Sequence, residues 1–95
     1  MALFSGKPNQ EIDLDVADIT LAGYEKVMSR ASTFGEADEI MDEVHNELKS
    51  YAEKEKFGMW KKSRIASEYE RNLMSISPGK KAWIKKWAKE LRGKL

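Results

Sequence analysis

Apolar residues between positions 37 and 52 return at intervals of three and four. Ala37, Ile40, Met41, Val44, Leu48, Tyr51 and Ala52 therefore fill one arc of a helix that turns about 100° per residue. Asp38, Glu39, Asp42, Glu43 and Glu53 fall outside that arc. A strand has no use for this spacing, because its successive residues point to opposite faces. Just upstream, Thr33 and Glu36 have the capping-box spacing, in which hydroxyl and carboxylate each satisfy a free backbone N–H. The chain has no run of about four to eight β-branched or aromatic residues, so no sheet is expected.

Two further stretches read the same way. From Asp13 to Ala31, one face of a helix holds Leu14, Ala17, Leu21, Tyr24, Val27, Met28 and Ala31. Asp13, Asp15 and Asp18 crowd its start, where carboxylates favour the positive end of the helix dipole. Ile12, Leu14 and Val16 alternate as a strand would, but the alternation fails at Ala17. Helix is the preferred reading, with Gly23 a mild cost. Near the other end, Ser77 is a candidate N-cap, and Pro78 suits a first helical position because its missing N–H costs nothing there. Trp83, Ile84, Trp87, Ala88, Leu91 and Leu95 then share an arc opposite Lys81, Lys85, Lys86, Lys89 and Arg92. Residues 1–12 read as a flexible N-terminal arm interrupted by Gly6, Pro8, Asn9 and Gln10, with Leu3 and Phe4 able to hook onto a core. Residues 13–95 read as a single helical domain.

Residues 53–64 admit two readings. Gly58 can end a helix in the left-handed conformation, with a new helix starting near Ser63. Alternatively, the apolar phase carried across Gly58 places Ile65, Ala66, Tyr69, Leu73 and Ile76 on the stripe of Ala37 to Ala52, as one long helix over 34–74 would. Such a helix is about 60 Å long, against about 26 Å for a compact domain of this size, and its protruding stripe would need a partner chain. The hairpin is preferred. The expected fold is all-α: a small three- or four-helix bundle around Leu21, Tyr24, Met28, Ile40, Val44, Leu48, Tyr51, Ile65, Tyr69, Leu73, Trp83, Trp87 and Leu91.

The 95 residues suit one domain with one modest core. Seventeen basic and sixteen acidic residues give a formal charge of +1, but that total hides a division. Residues 1–53 hold four basic and twelve acidic residues, a net of −8; residues 54–95 hold thirteen and four, a net of +9. Such asymmetry marks an interacting chain.

Several chemistries find no support. With no cysteine, disulfides, thiolate metal sites and cysteine nucleophiles are absent, and the composition suits a cytoplasmic setting. His45 is the single histidine and lies at the edge of the acidic helix's apolar arc, which reads as an ordinary boundary position. Ser77-Pro78-Gly79-Lys80-Lys81 is superficially like a phosphate loop, but Met74 stands where glycine is required and Lys81 where a hydroxyl is required. The N-terminal apolar run is too short for a secretory segment, and no uncharged stretch is long enough to span a bilayer. No catalytic residue, metal ligand, cofactor or small-molecule substrate is nominated, and the chain is not expected to be an enzyme.

The leading expectation is a non-catalytic helical interaction protein that binds another protein or itself, with Asp38, Glu39, Asp42 and Glu43 as its acidic partner-binding face. The alternative is nucleic acid or another anion on the basic C-terminal half. Lys81, Lys85, Lys86, Lys89 and Arg92 would neutralise phosphates, and Trp60 beside Arg64 and Arg71 would stack on bases. A core cap at a helix start is the simpler role for Trp60. A helix-turn-helix over 63–92 fits poorly, because the connection from Met74 to Gly79 is too long. Membrane-surface association through the Trp/Lys face of the last helix ranks third, since Trp83 and Trp87 serve a bundle core more readily.

Overall fold

In the computed structural model, which describes residues 6–95, the chain forms α1 (Asn9–Arg30), α2 (Phe34–Lys54), α3 (Met59–Ile76), a short 3-10 turn (Pro78–Lys80) and α4 (Lys81–Lys94). No strand occurs among the described residues. The fold is the expected all-α bundle, with four helices. Thr33 caps α2 as its spacing predicts: its hydroxyl oxygen accepts the Glu36 backbone N–H at 3.2 Å. The hydroxyl proton goes to the Glu36 carboxylate at 3.3 Å, so the reciprocal half of the capping box is replaced by a side-chain bond.

Cross-helix contacts fix the topology. Asp15 meets Tyr51 and Gly23 meets Val44, so α1 and α2 are antiparallel. Asp13 meets Arg64 and Tyr24 meets Ser77, which places α1 alongside α3 in the same direction. Phe34 packs on Trp83, Asp38 meets Trp87 and Asp42 meets Lys94, so α4 runs beside α2 in its direction. Consecutive helices therefore alternate up and down, while α1 and α4 occupy opposite corners. Ile12, Val16, Met41, Leu48, Ile65, Tyr69, Leu73, Ile84, Trp87 and Leu91 fill the centre. The radius of gyration is 13.4 Å, as expected for one packed domain of this length.

The structure corrects the reading of α1 in two ways. The helix begins at Asn9, four residues before the expected start, because the Pro8 carbonyl accepts the N–H groups of Glu11 and Ile12 and opens a helix there. Of the expected arm, 9–12 are thus helical, while Leu3 and Phe4 lie outside the described residues. The buried face also differs. Ile12, Val16, Thr20, Gly23, Tyr24 and Val27 point inward, and Leu14, Leu21 and Met28 point out. The physical cause is at Gly23, where an added Cβ would overlap Val44 Cγ2. The small and β-branched residues let α1 lie close to α2 there, Tyr24 turns in to reach Ser77 at the end of α3, and Leu14, Leu21 and Met28 are left outside.

The α2–α3 connection settles the hairpin against the long helix, with its own correction. Lys56, not Gly58, takes the left-handed conformation, at φ 57°. The Phe57 N–H bonds to the Ala52 carbonyl and the Lys56 N–H to the Glu53 carbonyl. This is a Schellman closure, completed by the buried Phe57 ring against Tyr51. Gly58 is extended, and α3 starts immediately after it instead of near Ser63. Ser77 does not cap α4 either: its hydroxyl oxygen accepts the Tyr24 hydroxyl at 2.6 Å, and the 3-10 turn intervenes. Trp60 caps no core. It stands in solvent at 91% exposure, one residue into α3.

Gly23 should therefore behave opposite to its helix propensity. Gly23→Ala gains about 1 kcal/mol of intrinsic helicity, but the overlap with Val44 costs about 1–3 kcal/mol. Urea denaturation is expected to show net destabilisation. Gly93→Ala in α4, where nothing lies within 4 Å, is expected to stabilise or be neutral; equal effects at both sites would refute the close-approach explanation.

Candidate functional site

Local helix geometry divides the expected acidic face. Asp38 and Asp42, one turn apart, look toward α4: Asp38 accepts Trp87 Nε1 at 3.0 Å and Lys86 Nζ at 3.1 Å, and Asp42 pairs with Lys94 at 2.9 Å. The Lys94 ammonium holds the Asp42 carboxyl below its usual range. Glu39 and Glu43, one position further round, are exposed and have no ion partner among the described residues. Half of that face thus holds the bundle together, and half stays open.

The basic candidates divide in the same manner. Lys86 bridges Asp38 and Glu90, the latter at 2.6 Å, and both carboxylates raise its pKa. Lys85 and Arg92 share Glu70 at 3.4 and 3.1 Å. Lys81 and Lys89 are exposed with no ion partner among the described residues. On α3, Arg64 forks onto both Asp13 oxygens at 2.8 and 2.7 Å and holds that carboxyl low. Arg71 closes on Glu68 at 2.7 Å, a pair exposed on its arginine side. Trp60 is free to stack, but the guanidiniums expected beside it already hold carboxylates. Trp87 is buried and Trp83 half-buried against Phe34, so the indoles needed for membrane contact are occupied in packing.

Two features escaped the sequence reading. One is a polar clamp at the start of α1. Lys7 Nζ reaches Asp15 at 3.1 Å and Glu55 at 3.2 Å and lies 5.1 Å from the Tyr51 ring centre. The Tyr51 hydroxyl donates to Asp15 at 2.6 Å; that bond, then Lys7, lowers the Asp15 pKa. The other is the outer face of α1. Leu14, Leu21 and Met28 are 62%, 37% and 73% exposed, and they recur every seven residues. Beside them Glu11, Asp18 and Glu25, also seven apart, are exposed with no ion partner among the described residues. The face is thus an apolar ridge flanked by an acidic ridge. The leucines were legible as apolar, but the helical wheel assigned them inward.

His45 is buried, not at a boundary, and its Nε2 lies 2.6 Å from the Tyr69 hydroxyl across the core. Burial pushes its pKa down to about 4, against the attraction of Glu90 and Asp42. The same burial raises that of Tyr69. Both rings are fully buried, and among the described residues no group of three or more histidines and carboxylates is placed to hold a metal. No helix of the described residues is long and apolar enough to cross a membrane. No protein-family model, curated protein or solved structure matches the chain.

The His45 environment carries a pH dependence. The unfolded chain takes up a proton below pH about 6.5, whereas the folded protein resists until about 4. Stability is therefore full above pH 6.5 and falls as pH drops toward 4, by about 3 kcal/mol in total and about 2 kcal/mol by pH 5. The carboxylates of Asp13 and Asp42, held low by cations, begin to weaken the fold only below about pH 5. Urea midpoints measured from pH 7.5 to 5 are expected to fall in the wild type and to flatten in His45→Gln; a flat wild-type profile would refute this.

Proposed function

We propose that the chain is a non-catalytic helical interaction module, working in the cytoplasm, that binds a protein partner through the outer face of α1. The observation that supports this best is the ridge of Leu14, Leu21 and Met28 on an already folded bundle. Single exposed apolar residues are ordinary, but three that return at one heptad position, about 10 Å apart on one side of a helix, form a spaced stripe that a partner helix can follow. A seven-residue repeat keeps such a row on one side of a helix for four turns. The open cleft among Met28, Phe34 and Trp83 has a volume of about 270 Å³, below the roughly 300–1,000 Å³ usual for small-molecule sites. Of the carboxylates expected to meet the partner, Glu39 and Glu43 remain available on the neighbouring helix.

The test is a nuclease-treated pull-down with wild type and L14Q/L21Q/M28Q. Glutamine keeps helix propensity close to that of leucine and methionine, and the three sites are exposed, so the variant is expected to fold with an unchanged circular dichroism spectrum. Wild type should retain protein and the variant should not. Equal retention overturns the reading.

Nucleic acid remains a second reading because Lys81 and Lys89, two turns apart on α4, stand without ion partners among the described residues. If it holds, a random duplex is retained at low salt and released as salt rises, and K81E/K89E abolishes retention. Absence of retention at low salt excludes it.

A further inference from the structure

The identity of the docking partner can be taken further, resting on the reading of α1 as a protein-docking face. The apolar ridge repeats every seven residues, so a second helix wound against α1 with coiled-coil geometry stays in register with Leu14, Leu21 and Met28 together. The three anchors span about 21 Å of helix axis.

Glu11, Asp18 and Glu25 lie about 40–60° round the helix from that ridge. They form one flank of any helix seated on it. The flank toward α3 is different, because there Arg64 and Asp13 neutralise each other. The open charge bordering the ridge is thus on one side and acidic; Lys26 and Arg30, also exposed on α1, lie about 80–120° further round the helix. The acidic residues repeat about 10 Å apart along the axis, close to the screening length of about 8 Å at physiological salt, so they repel one another only weakly. A row of cations laid against them would gain attraction at each position. A second copy paired antiparallel through the same ridge fits badly, because it would set acidic ridges opposite each other, and one paired parallel would set each acidic ridge against the neutralised flank and gain no charge attraction.

We infer that this face takes a basic amphipathic helix of another protein, one with apolar residues at heptad spacing and Lys or Arg along the flank that meets Glu11, Asp18 and Glu25. Helix-on-helix packing along the ridge supplies the affinity, and the charged flank supplies the selection.

Three labelled helical peptides that share heptad leucines and differ only in the flank, carrying Lys, Gln or Glu, test this by fluorescence anisotropy with the full chain. The Lys peptide is expected to bind more tightly than the Glu peptide by about tenfold or more, with a gap that narrows as salt rises. L14Q/L21Q/M28Q should lose the Lys peptide to a similar extent, and E11K/D18K/E25K should invert the order of the Lys and Glu peptides. Circular dichroism of both variants guards against loss of fold. Equal affinity for the three peptides, or no binding of any, overturns the basic-helix inference. If pull-down retention still depends on Leu14, Leu21 and Met28 in that case, the interaction reading survives and only the partner chemistry falls. Concentration-dependent light scattering that disappears in L14Q/L21Q/M28Q would assign the face to a second copy and likewise overturn it.

Discussion

The approach of α1 to α2 at Gly23 sets the rotation of α1, and that rotation decides what the molecule presents to its surroundings. A side chain at position 23 would occupy the space of Val44 Cγ2. Interaxial distance between packed helices follows the size of the residues at the crossing. With glycine there, and Val16, Thr20 and Val27 on neighbouring turns, α1 can lie close to its neighbours. The longer side chains Leu14, Leu21 and Met28 would hold it away if turned inward. Close packing with small residues therefore carries a consequence: the most flexible apolar side chains of α1 end on the outside.

The polar contacts act on register more than on total stability. Tyr51–Asp15, Tyr24–Ser77, Trp87–Asp38 and His45–Tyr69 each tie residues far apart in sequence. Hydrogen bonds of this kind contribute about 0.5–1.5 kcal/mol net, and exposed ion pairs about 0–1 kcal/mol. Burial of Trp87, Tyr69 and the aliphatic centre supplies the larger driving force. What the ties do is forbid sliding: α1 cannot shift by a turn without uncoupling both Asp13 from Arg64 and Tyr24 from Ser77. The opposed charges of the two halves are resolved only in part by the same means. Arg64–Asp13, Lys86–Asp38 and Lys94–Asp42 cross between them. Glu68, Glu70 and Glu90 meanwhile pair with cations of their own half. The carboxylates on the outer sides of α1 and α2 are left over.

Elements whose apolar and polar residues separate cleanly were legible from sequence. In α2, the stripe from Ala37 to Ala52 is buried or half-buried throughout, and in α4 the arc from Ile84 to Leu91 is buried. The phase of α1 was not legible because the helix carries two apolar rows. A wheel begun at Asp13 omits Ile12, and Thr20 and Gly23 weaken the inward row, so Leu14, Leu21 and Met28 dominate it, whereas packing selected shape. The turn residue was missed for a related reason: glycine is the usual left-handed residue, but burying Phe57 against Tyr51 fixes the closure at Lys56. His45 was misplaced because its partner Tyr69 is 24 positions away, and nothing local announces the pair. The candidate site suffered most. Which carboxylate is open and which is tied depends on the helix opposite, so Asp38 and Glu39, adjacent in sequence, have different roles.

An apolar row left in water invites association with anything of similar shape, including other copies of the chain. Full burial of an exposed leucine or methionine is worth about 1.5–3 kcal/mol; Leu14, Leu21 and Met28 are already partly covered, so the row offsets only part of the entropy lost on pairing. The acidic ridge changes that balance without touching the row. Against another copy in antiparallel pairing it adds repulsion at positions within about one screening length, while against a cationic flank it adds attraction. Specificity is a difference between affinities, and one set of charges that penalises the wrong partner and rewards the right one enlarges that difference from both ends. The apolar ridge and the acidic ridge are both turned outward by the way α1 packs at Gly23, so the packing choice that shapes the interior also places the two rows of the proposed docking face side by side.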